Sequence, residues 1–452
     1  MSSTASQSRP DSAHGPERHE GLEPAHPLPP SAADGTFDEW STRVGEELAE
    51  ETDYARKQRL RGNRLIGLDA ARGIALIGMV AVHTMSADTP DGDLSLTWWI
   101  AAGKSAALFA VLGGVGLAFM SGRGRPPRGA TWGRAVLRQV IRAILIFLLG
   151  LVLGQVVPAE DVSIILPYLG ALFAVASLLL PLRGRVLLSL GLLWAVASPF
   201  LGYWLRLDMN LPVDHNLTFS TFFASPGDDL LRVFLTGTFP VLTWLSYIMI
   251  GMGLGRTQLG WRRTAAFTFA GGVALTLVTA VATWFLVAEV GVRSRIAADV
   301  MGRMSLETYS DYLVFGAAGT VPTDSWWWLG VNAPHSGTPL DLLYTAGIAI
   351  TIIGACLVIA RVTGSNMSLL SVPGSMTLTL YSMHLLLVEL LGDLPDLAHL
   401  LAQVVILTVF ALVWNRFAKR GPLEGALSWV TKKVVPSPGK PRTEVEERWS
   451  VR

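Results

Sequence analysis

About ten apolar stretches of membrane length recur between residues 67 and 418, and nothing else in the sequence restricts the fold so strongly. They fall near 67–87, 97–120, 136–157, 162–181, 186–205, 230–254, 264–288, 341–361, 373–391 and 398–418. A hydrocarbon core ~30 Å thick is crossed by about 20 residues of helix. In lipid, every backbone N–H and C=O must find its partner inside the protein, so apolar runs of this length are helices. Hydrophobic residues make up 51% of the 452-residue chain and charged ones 16%, with mean hydropathy +0.43, which excludes a set of soluble domains. The expected fold is an all-α integral membrane protein, a polytopic bundle of about ten transmembrane helices.

Charge orients the bundle. Arg123, Arg125, Arg128 and Arg134 fill the second connection, Arg183 and Arg185 the fourth, and Arg256, Arg262 and Arg263 the sixth. Odd connections carry Asp88, Asp91 and Asp93, then Glu160 and Asp161, then Asp208, Asp214, Asp228 and Asp229. By the positive-inside rule both termini are cytoplasmic and the protein is a multi-pass protein of the cell membrane. Residues 1–37, rich in Pro, Ser and His with no apolar core segment, read as a disordered cytoplasmic tail without a signal peptide. Residues 38–63 read as a juxtamembrane amphipathic helix, 64–420 as the membrane domain and 421–452 as a second cytoplasmic tail. The lone cysteine, Cys356, lies in an apolar run, so its role is packing. The outer connections 206–229 and 289–340 are long; Trp326, Trp327 and Trp328 in the second read as an interfacial belt or the wall of a binding site.

Ionisable residues inside apolar runs are costly and are usually paired or functional. Arg72 and His83 share one face of the first helix, about three turns and roughly 16 Å apart, with Arg72 toward the cytoplasm and His83 at the outer end. Asp69, one turn before Arg72, is placed to pair with it, and a purely structural ion pair is an equal reading. Lys104 enters the second helix from outside at a depth near that of His83, as a snorkelling cation or a site residue. His335, in a Pro- and Gly-bounded loop before the eighth run, is placed either to converge with His83 or to sit exposed. His384 and Glu389 add two groups that do not share a face. Arg134, Arg138 and Arg142 form a basic stripe for lipid headgroups or, in the sharper reading, for the phosphates of a cytosolic donor. Gly113, Gly114 and Gly116 suit close helix packing. No phosphate loop, dinucleotide glycine pattern or metal-ligand spacing occurs.

An arginine, ten residues and a histidine in the first helix resemble the hallmark of the transmembrane acyltransferase superfamily. The surrounding Leu68-Asp69-Ala70-Ala71-Arg72-Gly73-Ile74-Ala75-Leu76 resembles its heparan-alpha-glucosaminide N-acetyltransferase-like and YeiB-like branches. The Gly103-Lys104 to Gly116 stretch and Met376 to Ser382 agree with that likeness, which covers residues 64 to about 418. In the human lysosomal members the reactive histidine follows the first helix, whereas here it ends the helix. The resemblance implies transfer of an acyl group, typically acetyl from acetyl-CoA on the cytoplasmic side, to a glycan, lipid or small-molecule acceptor at the outer face. It makes His83 the catalytic histidine and Arg72 a donor-binding or structural partner, while Arg138 and Arg142 of the basic stripe are the further candidate donor-binding cations. Lys104 or His335 would then stabilise the oxyanion. Neither a metal nor a nucleic acid is expected, and the small-residue stretches permit a homo-oligomer. The alternative is a multi-pass transporter whose solute path is lined by Arg72, Lys104, His384 and Glu389, although no pair of matching broken halves is visible.

Overall fold

The computed structural model describes residues 65–91, 93–159, 162–209, 215–363 and 367–436, together with Thr42 and Gly45. The chain divides into residues 1–56 and 57–452. Of the first unit only Thr42 and Gly45 are described, both helical and exposed, so the expected tail 1–37 and nearly all of the helix 38–63 lie outside the described residues.

The second unit is helical throughout, and among the described residues no strand forms beyond one isolated bridge between Asp88 and Leu94. Its helices are α1 (Ile66–Thr84), α2 (Leu96–Ala101), α3 (Lys104–Met120), α4 (Ala130–Gly154), α5 (Leu166–Ser177) and α6 (Gly184–Leu205). There follow α7 (Phe219–Ala224), α8 (Pro226–Leu231) running into a π-turn at Arg232–Thr236, α9 (Val241–Gly255), α10 (Arg262–Ala288), α11 (Val292–Val300) and α12 (Leu306–Val314). After a 3-10 turn at Trp326–Gly330 come α13 (Pro339–Thr363), α14 (Ser368–Ser371), a second 3-10 turn at Pro373–Met376, α15 (Thr377–Leu390), α16 (Asp396–Phe417) and α17 (Pro422–Val434).

Among the described residues seven helical stretches are long and apolar enough to cross a membrane, and eight if the pair α8–π-turn and α9, bent by 52°, is one span. The remaining two segments expected to span are the short helices α5, of 12 residues, and α15, of 14. The second expected span is broken: Gly103 takes φ +70°, which ends α2 and restarts the helix as α3 at Lys104. The last segment also differs from expectation, because residues 422–434 of the supposed tail form α17, packed on α4 and α15. Its Glu424 accepts from the N–H groups of Leu378 and Thr379 and from the Thr379 hydroxyl, so a carboxylate caps the start of α15.

Helices pack closely where side chains are small. α9 lies between α3 and α6, and a Cβ on Gly114 or Gly251 would meet the backbone of the opposing helix. Arg256, counted above with the basic connection, is 7% exposed; its guanidinium donates to the carbonyls of Ser121, Arg123 and Leu180 and so ties three connections together. The long segment 289–340 folds on a small core of its own, where Trp328 is fully buried and donates its indole N–H to Asp324. Trp328 is therefore a core residue, while Trp326 is exposed.

Candidate active site

His83 occupies the last turn of α1. Its Nδ1 lies 2.8 Å from Nε2 of His384 on α15, with ring centroids 5.1 Å apart and planes within 7°, an alignment that suits an in-plane N–H···N bond. Nδ1 of His384 lies 2.6 Å from Oε1 of Gln403, and Nε2 of Gln403 lies 2.7 Å from Nε2 of His399. His399 and Gln403 stand one turn apart on α16, and His384 and Gln403 are wholly buried. Three helices thus build one polar chain in an otherwise apolar region. His384 and Glu389 form no dyad; the partner of His384 is His83.

The other nitrogen of His83, Nε2, makes no hydrogen bond among the described residues. His83 lines a cavity of about 40 Å³ together with Ser105, Ser163, Phe239, His335 and Tyr381. The loop before α13 holds His335 there by three devices. Thr338 Oγ1 accepts from the N–H of Asp341, the Asp341 carboxylate accepts from the N–H of Gly337, and the carbonyl of His335 accepts from the N–H of Gly319. His335 itself has φ +53°, an uncommon conformation for a residue with a Cβ, and packs its ring between Phe239 and Trp244. Burial, and next the nearby charge of Lys104, push the His335 imidazole down to about 4, so it is neutral at physiological pH. Its Nδ1 is buried with no hydrogen-bond partner among the described residues.

Lys104 does not line this cavity. Its ammonium turns back to donate to the carbonyls of Trp99, at 2.8 Å, and Ala102, at 3.4 Å, because the break at Gly103 leaves the last carbonyls of α2 without helical partners. The Tyr381 hydroxyl oxygen faces the N–H of Ile165 at 3.5 Å, and its ring lies 6.4 Å from that of Phe109.

Phe109 lines a second, larger cavity of about 520 Å³ at the other end of α1. Its walls are apolar, with Leu112, Phe119, Leu169 and Phe173, and its polar groups are Arg72, Arg142, Arg420 and Glu424. Arg72 donates to Asp69 at 2.9 Å, as the one-turn spacing allows. Arg420 donates to Ser428, and Glu424 is engaged by the start of α15. Arg142 makes no hydrogen bond or ion pair among the described residues. Arg138, one turn earlier, is directed away from the cavity and donates to the carbonyl of Val435. Of the basic stripe, then, only Arg142 reaches the cavity. Ile165 lines the small cavity and Leu166 the large one, so the two are separated by little more than the Phe109–Tyr381 ring contact and the start of α5.

Three guanidiniums lining an otherwise largely apolar cavity fit a phosphate-bearing donor with an apolar arm, since arginine matches phosphate oxygens in a bidentate fork. A half-buried histidine whose Nε2 makes no hydrogen bond, lining the separate smaller cavity, is suited to proton transfer. Among the described residues no group of three or more His, Cys, Asp or Glu is placed to hold a metal ion. Sequence reasoning singled out His83, His335, Arg72 and Arg142, which the fold gathers at the two cavities. It missed His384 as the partner of His83, and it missed Gln403 and His399 altogether. The i, i+4 spacing of His399 and Gln403 inside an apolar run is the signal that points to them.

The family model for heparan-alpha-glucosaminide N-acetyltransferase, catalytic, matches residues 64–288. No curated protein matches the chain.

Proposed function

We propose, from the match of residues 64–288 to the heparan-alpha-glucosaminide N-acetyltransferase catalytic family, that this membrane protein moves an acetyl group from acetyl-CoA on one side of the bilayer to an acceptor on the other. The observation that carries the reading is the pair of cavities at the two ends of α1, one lined by Arg72, Arg142 and Arg420 and the other by His83, His335 and Tyr381, with a thin partition between them. Residues 64–420 form the catalytic unit, to which α17 contributes Glu424 and Leu427. On this reading the protein crosses the cell membrane ten times, counting the short α5 and α15, with the arginine cavity and both termini on the cytoplasmic side, an orientation that the basic connections support.

Arg72, Arg142 and Arg420 bind the donor's phosphates, and the apolar wall takes its pantetheine arm. His83 Nε2 removes the proton of the acceptor's hydroxyl or amine as that atom attacks the thioester carbonyl. The new C–O or C–N bond forms, the C–S bond breaks, and the thiolate leaves with the proton that Nε2 has taken up. Transfer through an acetyl-imidazole on the same nitrogen is the two-step form of this reaction, and label retained on the protein after quenching separates the two. The Tyr381 hydroxyl, whose oxygen already accepts from Ile165, has its own proton to give to the carbonyl oxygen, and neutral His335 offers a second donor. Lys104 acts only through its charge near His335. The acceptor is a glycan, lipid or small molecule presented at the outer face.

The test uses purified full-length protein in lipid nanodiscs with acetyl-labelled acetyl-CoA. His83→Gln is expected to lower acetyl release from CoA by roughly a hundredfold or more. A properly folded His83→Gln protein that turns over acetyl-CoA at the wild-type rate overturns the assignment.

A further inference from the structure

The chain from His83 to His399 contains more information than four neighbouring polar groups require. A neutral imidazole has one N–H and one bare nitrogen, so a hydrogen bond at one ring nitrogen dictates what the other can do. A carboxamide oxygen only accepts. Because Gln403 Oε1 faces Nδ1 of His384 at 2.6 Å, that nitrogen carries the proton. Nε2 of the same ring is then bare and accepts from its neighbour at 2.8 Å, which is Nδ1 of His83. His83 therefore carries its proton on Nδ1, and its Nε2 is left with a free lone pair beside the cavity.

The sense of the whole chain depends on which way the Gln403 amide is turned. A half-turn of the amide presents NH₂ to His384, reverses every bond and leaves His83 with Nε2–H, which cannot take a proton. With the amide nitrogen 2.7 Å from Nε2 of His399, the amide donates there and His399 carries its proton on Nδ1; the reversed amide needs the other His399 tautomer, so amide and imidazole are set together. We propose that Gln403, paired with His399 and turned with its oxygen toward His384, is the positioning residue that sets the tautomer of His83 and so makes its Nε2 a base. The proposal rests on the acyl-transfer reading of His83 given above.

The other ionisable groups around His83 are His335 and Tyr381 across the cavity, with Lys104 and Asp341 beyond His335. Asp396, one turn before His399, is engaged by the N–H and hydroxyl of Ser86. None of them belongs to the chain, and none changes in the variants below.

Gln403→Glu and Gln403→Lys put opposite charges at one buried position. The carboxylate still accepts from His384, keeps the sense of the chain and favours a protonated His83. The ammonium can only donate and reverses it. In nanodiscs, Gln403→Lys is expected to lower kcat for acetyl-CoA turnover by roughly a hundredfold, with KM for acetyl-CoA unchanged. Gln403→Glu is expected to stay within about tenfold of wild type, with the acid limb of its pH profile moved up by roughly one unit. Equal loss in both variants with an unmoved acid limb overturns the proposal, as does full activity in Gln403→Lys. Wild-type protein labelled with nitrogen-15 histidine, with His83→Gln as the assignment control, decides the matter independently of how the variants fold. His83 is expected to show a protonated Nδ1 and a bare Nε2, and the opposite tautomer overturns the proposal. Turnover that survives His83→Gln instead removes the acyl-transfer reading, so the two failures are distinguishable.

Discussion

His335 couples acid to stability because it must stay neutral where it stands. Its ring is held between Phe239 and Trp244, and its titration lies at about 4 in the folded protein against about 6.5 for a free histidine. Between those two values the unfolded chain binds a proton that the folded protein does not, so stability falls as pH drops from 6.5 toward 4 and is unaffected by this group above that window. Thermal unfolding in detergent is expected to show a declining melting temperature over that window, and His335→Gln is expected to flatten the decline; a variant with an unchanged slope contradicts the assignment. That residue's place beside His83 was readable from its loop sequence only as one of two options. The loop's Pro and Gly residues indicate a fixed turn, which the local bonds among Gly337, Thr338 and Asp341 complete, but convergence also requires the bond from Gly319 and the ring contacts with Phe239 and Trp244, which come from segments distant in sequence. His384 was harder to interpret, since its partners are 301 and 19 residues away and a helical period cannot register a bond to another helix.

Helices were legible wherever length and hydropathy act alone, and their interruptions were not. Hydropathy averaged over a window treats 97–120 as one run, whereas the positive φ of Gly103 divides it and turns Lys104 onto the carbonyls of Trp99 and Ala102. The same averaging hides the 52° bend between the π-turn and α9, where Gly237 and Pro240 interrupt the chain. Glycines in α3 were legible for a physical reason: without a strong hydrophobic drive between helices in lipid, close approach needs small residues. Gly114 faces Ile248 and Gly251 on α9, and a Cβ there would meet the backbone of that helix. Backbone cannot move aside as a flexible side chain can, so α3 and α9 must separate to admit one. Gly114→Val is expected to lower the melting temperature in detergent by several degrees, in line with the ~1–3 kcal/mol typical of overpacking. Gly133→Val, at an open position on α4, is the control and is expected to leave it nearly unchanged.

Across the whole molecule, a transferase that draws its donor and acceptor from opposite sides must let an acyl group pass while excluding water. The two cavities meet this demand in different ways. The arginine cavity, the donor side on the proposed reading, is roomy at about 520 Å³, and the histidine cavity is cramped at about 40 Å³. Between them stand Phe109, which faces the large cavity, and Tyr381, which faces the small one, in ring contact. If these rings keep water on the histidine side from the thioester, removing one should uncouple acetyl-CoA consumption from transfer. Phe109→Ala leaves the Tyr381 hydroxyl and His83 in place and opens only the partition. In proteoliposomes given labelled acetyl-CoA and no added acceptor, this variant is expected to release free acetate several-fold faster than wild type. The release should disappear in the double variant with His83→Gln, because the same base then serves water as it serves an acceptor. Acetate release at the wild-type rate from a folded Phe109→Ala protein would mean that the partition lies elsewhere, and release that persists without His83 would mean that the water does not reach the thioester through the histidine cavity.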